Sequence, residues 1–340
     1  MFFASDNAGI AHPKVMTALT QANVGYALGY GRDALTQQVT AELRALFEAP
    51  EAAVYLVPTG TAANALALAC LARPFDTVFC APQAHIQEDE CGAPEFYSGA
   101  KLTLVGDGDK IDPSQLQQEI ARCQARGFQG VKPGALSLSQ VTEFGQIYRL
   151  DEIRALTDVA RTAGLPTHMD GARFGHACAA LGVSPADMTW RVGVDAVSFG
   201  ATKNGCLGVE AVVLFDPNRA AEFEARRKRG GHLLSKHRYL AAQMQAYLAE
   251  GLWLELAQQA NAKARYLANQ LARINGITLA YPVEANMIFA RVPRPLLERA
   301  ISGGAVVSVI KDDANLPLVR LVCDWAQPES EIAQFLDLLA

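Results

Sequence analysis

The chain has 340 residues, half of them hydrophobic, with a formal net charge of −5 and a pI of about 5.7. That length buries a large core and divides into more than one domain. The acidic balance excludes a general nucleic-acid binder. No apolar run is long enough to span a bilayer and Met1-Phe2-Phe3 is too short for a signal core, so a cytoplasmic protein with no membrane partner is expected.

In chain order, short apolar runs near 53–57, 77–80, 102–105, 130–137, 166–169, 194–199 and 209–215 read as buried strands. Helical patterns lie between them, at Thr36 to Phe47, Ala62 to Ala72, Pro113 to Arg126 and Leu150 to Ala163. This alternation predicts an α/β fold, a large, mostly parallel seven-stranded sheet with helices on both faces. From about Ser235 the pattern changes. A long helical stretch, Lys236 to Arg273, precedes strand-like runs at Ile277–Leu279, Met287–Val292, Val306–Ile310 and Leu318–Cys323, and a closing helix at Ile332–Leu339. The expected domains are residues 1–235, whose N-terminal segment packs elsewhere, and a smaller α+β unit over 236–340. The basic run Arg226 to Arg229 reads as a solvated helix face leading to an anion-contacting turn at Gly230-Gly231. Seven scattered cysteines, with no C-x-x-C and no Cys/His zinc spacing, suggest free thiols and no metal site.

Three segments carry chemistry. Ser198 to Gly205 reads S-F-G-A-T-K-N-G. It puts Lys203 on a tight turn at a strand end, where its amine can form a Schiff base with a carbonyl such as that of pyridoxal 5'-phosphate. Asp170, 33 residues upstream in T-H-M-D-G-A-R, ends another strand-like run. A carboxylate there suits a pyridine nitrogen, which it keeps protonated; the plainer reading is a cap on the next helix. Val54 to Asn64 reads V-Y-L-V-P-T-G-T-A-A-N and opens an apolar helix. Its turn, Thr59-Gly60-Thr61, offers backbone N–H groups and a helix dipole to a phosphate, although an ordinary helix cap accounts for it equally.

Ser5-Asp6-Asn7, the P-T-G-T turn, His85 after an apolar strand, H-M-D-G-A-R and the lysine turn follow one another in this order. Together they resemble the L-threonine aldolase family, within the fold-type I pyridoxal-phosphate enzymes, and in particular its low-specificity and phenylserine-cleaving branch. The resemblance covers nearly the whole chain. It implies a lyase that breaks the Cα–Cβ bond of an L-β-hydroxy-α-amino acid to give glycine and an aldehyde. It also implies a homotetramer, a dimer of dimers with shared active sites.

On this resemblance Lys203 carries the cofactor, Asp170 pairs with its ring nitrogen, His85 stacks on its face, and Thr59, Gly60 and Thr61 hold its phosphate. Arg173 and Arg320 are candidates for the substrate carboxylate, which calls for a planar, bidentate cation. Ser5 is expected beside them, and Tyr30 corresponds to a loop that reaches a neighbouring subunit's site. The sequence departs from the family in three places. Glu143 stands in the Q-V-T-E-F-G-Q loop where many relatives have a histidine, so it is a candidate base for the hydroxyl or a positioner of water, with a solvated loop acid as the equal alternative. Lys236 or Arg238, in G-G-H-L-L-S-K-H-R, stands in for an expected phosphate-binding arginine, Lys236 being the preferred candidate. Asp89 occupies a place where some relatives have an aromatic. Transamination, β-elimination and a non-catalytic scaffold of the same fold stay open as alternatives.

Overall fold

The computed structural model describes residues 1–340. Seven strands build the main sheet: β1 (Ala53–Val57), β2 (Asp76–Cys80), β3 (Lys101–Leu104), β4 (Lys132–Ser139), β5 (Thr167–Gly171), β6 (Ala196–Gly200) and β7 (Glu210–Leu214). Their order across the sheet is β1-β7-β6-β5-β4-β2-β3. Strand β7 is antiparallel to both neighbours, β1 and β6, and the other pairs are parallel. Six strands therefore run one way and one runs back. The predicted strands all form, within two residues at most ends. The inner strands are buried on both faces, as two helical layers require, whereas edge strand β3 leaves Lys101 and Leu104 exposed.

Helix Gly60–Leu71 shows why the layers are thick. Residues 62 to 71 are all buried, so the helix has no solvent face and needs none of the amphipathic pattern of a surface helix. It lies between the sheet and the helices Ala93–Ser98 and Ala220–Arg229.

Four further strands, β8 (Thr278–Leu279), β9 (Met287–Arg291), β10 (Ser308–Lys311) and β11 (Leu318–Val322), form a second, antiparallel sheet in the order β10-β11-β9-β8. Its core includes Leu297, Phe335 and Leu339, and it takes Phe3 from the chain's beginning. The bridge of Phe2 to Val306 and the hydrogen bond from Phe3 N to Val306 O, 2.8 Å, hold that first segment in place.

The helical stretch expected over Lys236 to Arg273 is two helices, Arg238–Leu248 and Leu252–Leu271. Glu250 and Gly251, at φ 54° and 72°, turn the chain between them. The first of the two packs Leu240, Ala241, Met244 and Tyr247 into the core beneath the large sheet. The basic run differs from expectation as well. Arg227 is buried, its Nη1 donating to Leu56 O at 3.2 Å, so only its neighbours form a solvated face. No helix is long and apolar enough to cross a membrane.

Candidate active site

Five predicted residues follow carboxyl ends of strands on one edge of the large sheet. Thr59 comes after β1, His85 after β2 and Glu143 after β4; Asp170 closes β5, and Lys203 follows β6. Ligands of open α/β sheets bind at this edge. Two glycines bring the turns together. A Cβ on Gly200 would sit 2.4 Å from Ala172 O, and one on Gly171 2.6 Å from Ser198 O. The backbones that carry Asp170 and Lys203 approach this closely only without side chains between them.

A cavity of about 360 Å³ opens there, lined by Thr59, Gly60, Thr61, His85, Asp89, Asp170 and Lys203. Asn7, Pro58, Asn64, Ala172, Thr202 and Glu210 complete its wall. Lys203 rides on a single helical turn, Thr202–Asn204, closed by Gly205 at φ 113°. Asp170 is 5 % exposed and held on both oxygens: Oδ2 accepts from Asn64 Nδ2 at 2.9 Å and Oδ1 from Ala172 N at 3.0 Å. Two residues earlier on the same strand, His168 meets Ser137 Oγ and Ser198 Oγ, each at 3.0 Å. This buried crosslink ties β4, β5 and β6 behind the acid, and burial drives the His168 pKa down to about 4.

Thr59 caps helix Gly60–Leu71, its hydroxyl accepting from Ala62 N at 3.1 Å. The first N–H groups of the helix have no intrahelical acceptor, and the space above Gly60 is open for a ligand. The set fits pyridoxal phosphate. It offers an anion cradle with positive dipole, an amine at Lys203, an aromatic lid at His85 and a preorganised carboxylate at Asp170.

Beside the cavity the structure separates the two arginine candidates. Arg173 is buried with both prongs engaged by Asp6, Nε to Oδ2 at 2.7 Å and Nη2 to Oδ1 at 2.9 Å. Its fork is therefore not open to a ligand. Arg320, on β11, has one prong on Ala4 O at 3.2 Å and a buried Nε with no partner. Burial first, then the Arg173 charge, push its pKa down, while Asp6, Glu143 and Asp89 pull it up. Ser5 adjoins Ala4, its hydroxyl accepting from Asn7 N at 3.1 Å. Glu143 sits on a loop fastened by Asp109, which accepts from Phe144 N at 3.1 Å and from the Thr142 hydroxyl. Burial raises the Glu143 pKa against the opposing charge of Arg173.

Tyr30 and Lys236 do not join the cavity of their own chain. Tyr30 N donates to Ser235 O at 2.9 Å, so the two segments lie together on an exposed face. Sequence reasoning also passed over several residues of the site. Asn64 is the one polar side chain beyond the first turn of an otherwise apolar helix, and that contrast was the available signal. Glu90, Glu210 and Asn286 match no motif: Glu90 meets His85 and Asn64, Glu210 meets Ala201 across a turn, and Asn286 finds Asp6 and Cys323 only in the folded chain.

Comparison with known proteins agrees with this geometry. The model of the beta-eliminating lyase family matches residues 3–293. A low specificity L-threonine aldolase of a Pseudomonas species (strain NCIMB 10558) is 38 % identical over 98 % of this chain and 95 % of its own. That of Pseudomonas aeruginosa is 39 % identical over 95 % and 92 %. The structure of a threonine aldolase from Leishmania major superposes with a TM-score of 0.94 at 25 % identity, over 99 % of this chain and 98 % of that one. The architecture is that of the fold-type I pyridoxal-phosphate enzymes, and the chain belongs to the L-threonine aldolase family of beta-eliminating lyases.

Proposed function

We propose that this protein is a pyridoxal 5'-phosphate-dependent aldolase that cleaves L-β-hydroxy-α-amino acids to glycine and an aldehyde. L-Threonine, L-allo-threonine and L-phenylserine are the candidate substrates. The observation that carries the reading is the single cavity shared by Lys203, Asp170, His85 and the Thr59–Thr61 helix start, with the unpaired Nε of Arg320 beside it. Family membership supports it independently.

Thr59, Gly60 and Thr61 would hold the phosphate, Lys203 the carbonyl carbon, and Asp170 the proton on the ring nitrogen. When bound, pyridoxal phosphate supplies an electron sink for the charge left at the substrate's Cα. The chain's own residues do the rest. Arg320 grips the substrate carboxylate with two parallel N–H bonds and so sets which bond at Cα stands perpendicular to the cofactor ring. Ser5 lies next to the same carboxylate. His85 Nε2 and the Glu143 carboxylate are the groups suited to take the β-hydroxyl proton as Cα–Cβ breaks. Asp89 lines the side on which the aldehyde leaves. Arg173, engaged by Asp6, acts as a support for this wall rather than as the clamp.

Tyr30 and Lys236 serve the cavity of a second copy, in a homotetramer built as a dimer of dimers. The cytoplasm is the proposed location. The deciding experiment is product analysis with the three candidate substrates. Equimolar glycine and aldehyde, lost in Lys203→Ala, is the expected result. A keto acid with ammonia, or no turnover of any of the three, overturns the aldolase reading.

A further inference from the structure

Glu90 has no part in the chemistry above, yet its side chain is completely buried five residues after His85. Its Oε1 lies 2.8 Å from His85 Nδ1 and accepts from Asn64 Nδ2 at 2.9 Å. The same Nδ2 donates its other hydrogen to Asp170 Oδ2 at 2.9 Å. The facing atoms of His85, Glu90 and Asp170 lie within 4.8 Å of one another. A neutral amide suits this place. It has two N–H bonds on one nitrogen, so it serves two buried carboxylates without adding a charge. A polar side chain in an apolar helix is costly unless so bonded.

We propose that Glu90 and Asn64 are positioning residues that join His85 to Asp170 in one buried hydrogen-bonded chain. The His85 Nδ1–H is committed to Glu90, which turns the Nε2 lone pair to the cavity. A carboxylate on one ring nitrogen fixes the tautomer and makes the other nitrogen more basic. The groups that face His85 are Glu90, Asp170, Lys203 and Glu143. The hydrogen bond to Glu90 is the largest influence and raises the His85 pKa; burial and the Lys203 charge oppose it, and Asp170 adds to it. Through Asn64, a change at Glu90 also reaches the carboxylate that meets the cofactor ring.

The use of this chain in catalysis rests on the aldolase reading, but its test does not. The first measurement is nitrogen NMR of the unmutated holoenzyme with 15N-labelled histidine, the His85 signal being the one missing in His85→Asn. A protonated Nδ1 with titration above the ordinary histidine value is expected; a protonated Nε2 in the neutral form overturns the proposal. The second is the pH profile of kcat/KM in Glu90→Gln. Its acidic limb should move down by about one pH unit, because the variant's histidine binds its proton less tightly. Asn64→Leu should change the pH dependence of the bound cofactor's absorption. Equal loss of activity at every pH, with the limb and the spectrum unmoved, would mean that Glu90 and Asn64 merely fill space. If the protein cleaves none of the substrates, the NMR and absorption measurements still decide.

Discussion

Asp6 and Arg173, 167 residues apart in the chain, form a two-pronged ion pair beneath the active-site wall, and Asn286 Nδ2 adds a third bond to Asp6 Oδ2 at 3.1 Å. The pair joins the first segment of the chain, the loop after β5 and the small sheet. Burial pushes the Asp6 carboxyl up, but the charge and hydrogen bonds of Arg173 outweigh it and hold the acid well below its ordinary range. A depressed acid stabilises the fold above its unfolded pKa and loses that contribution as pH falls through the folded value. The pair is therefore constant at neutral pH and weakens only in strong acid. Asp6→Asn leaves Arg173 buried without its countercharge and should cost about 3–5 kcal/mol. Denaturant unfolding at pH 7 measures it; a cost below about 1 kcal/mol would mean that the guanidinium finds water or another partner.

Arg320 makes the opposite prediction. It has no carboxylate partner and its Nε is unpaired, so its removal should affect substrate more than fold. Arg320→Lys keeps the charge and loses the planar fork. The lost charged hydrogen bond is worth about 1.5–3 kcal/mol, or roughly 10- to 150-fold in kcat/KM. Most of the change should appear in KM, with thermal stability close to the parent's. If Arg320→Lys is as active as the parent, another group binds the carboxylate.

These two arginines show how far the sequence can be read. Lys203, Asp170, His85 and the Thr59–Thr61 turn were legible because each lies at or within a few residues of the end of a buried strand, and all such ends in a parallel sheet share one edge. Which arginine is free was not legible. That depends on Asp6, which reaches Arg173 only in the folded chain. Asn64 and Asp170 are likewise 106 residues apart, and no local pattern announces their bond. The break at Glu250-Gly251 escaped notice for a different reason. The flanking residues are good helix formers, and a single Gly in such a run is often tolerated. Here it takes a left-handed conformation, and so does the glutamate before it, which bends the chain onto the large sheet.

Glu210 gives a pH prediction. It lines the cavity, is buried, and accepts from Ala201 N at 2.7 Å, next to the Lys203 turn. Burial raises its pKa to about 7, against hydrogen bonds from Thr202 and Ala201 that lower it. An acid with a raised folded pKa holds a proton that the unfolded chain has released, so it destabilises the fold as pH rises from the unfolded to the folded value. Between about pH 4.5 and 7 this amounts to on the order of 3 kcal/mol. Glu210→Gln keeps an acceptor for Ala201 N and removes the titration. The cofactor-free variant should show a flatter stability profile over that window and be the more stable form at pH 7. Parallel profiles for parent and variant would show that Glu210 is already ionised at low pH.

The positions of Tyr30 and Lys236 predict that active sites are shared. Neither lines the cavity of its own chain, yet they lie together on an exposed face. Beside them the segment from Val24 to Leu28 leaves Val24 76 %, Tyr26 109 % and Leu28 64 % exposed, an apolar surface that calls for a covering partner. Lys236→Ala alone should release the cofactor more readily, and Lys203→Ala alone should be inactive. If Lys236 serves the neighbouring cavity, refolding the two variants together in equal amounts forms mixed pairs in which one cavity of two has both lysines. By random pairing of symmetric partners, about a quarter of all cavities are then complete. Holoenzyme assays of the refolded mixture at limiting cofactor should show activity well above the mean of the two variants. Activity equal to that mean would place Lys236 in the service of its own chain.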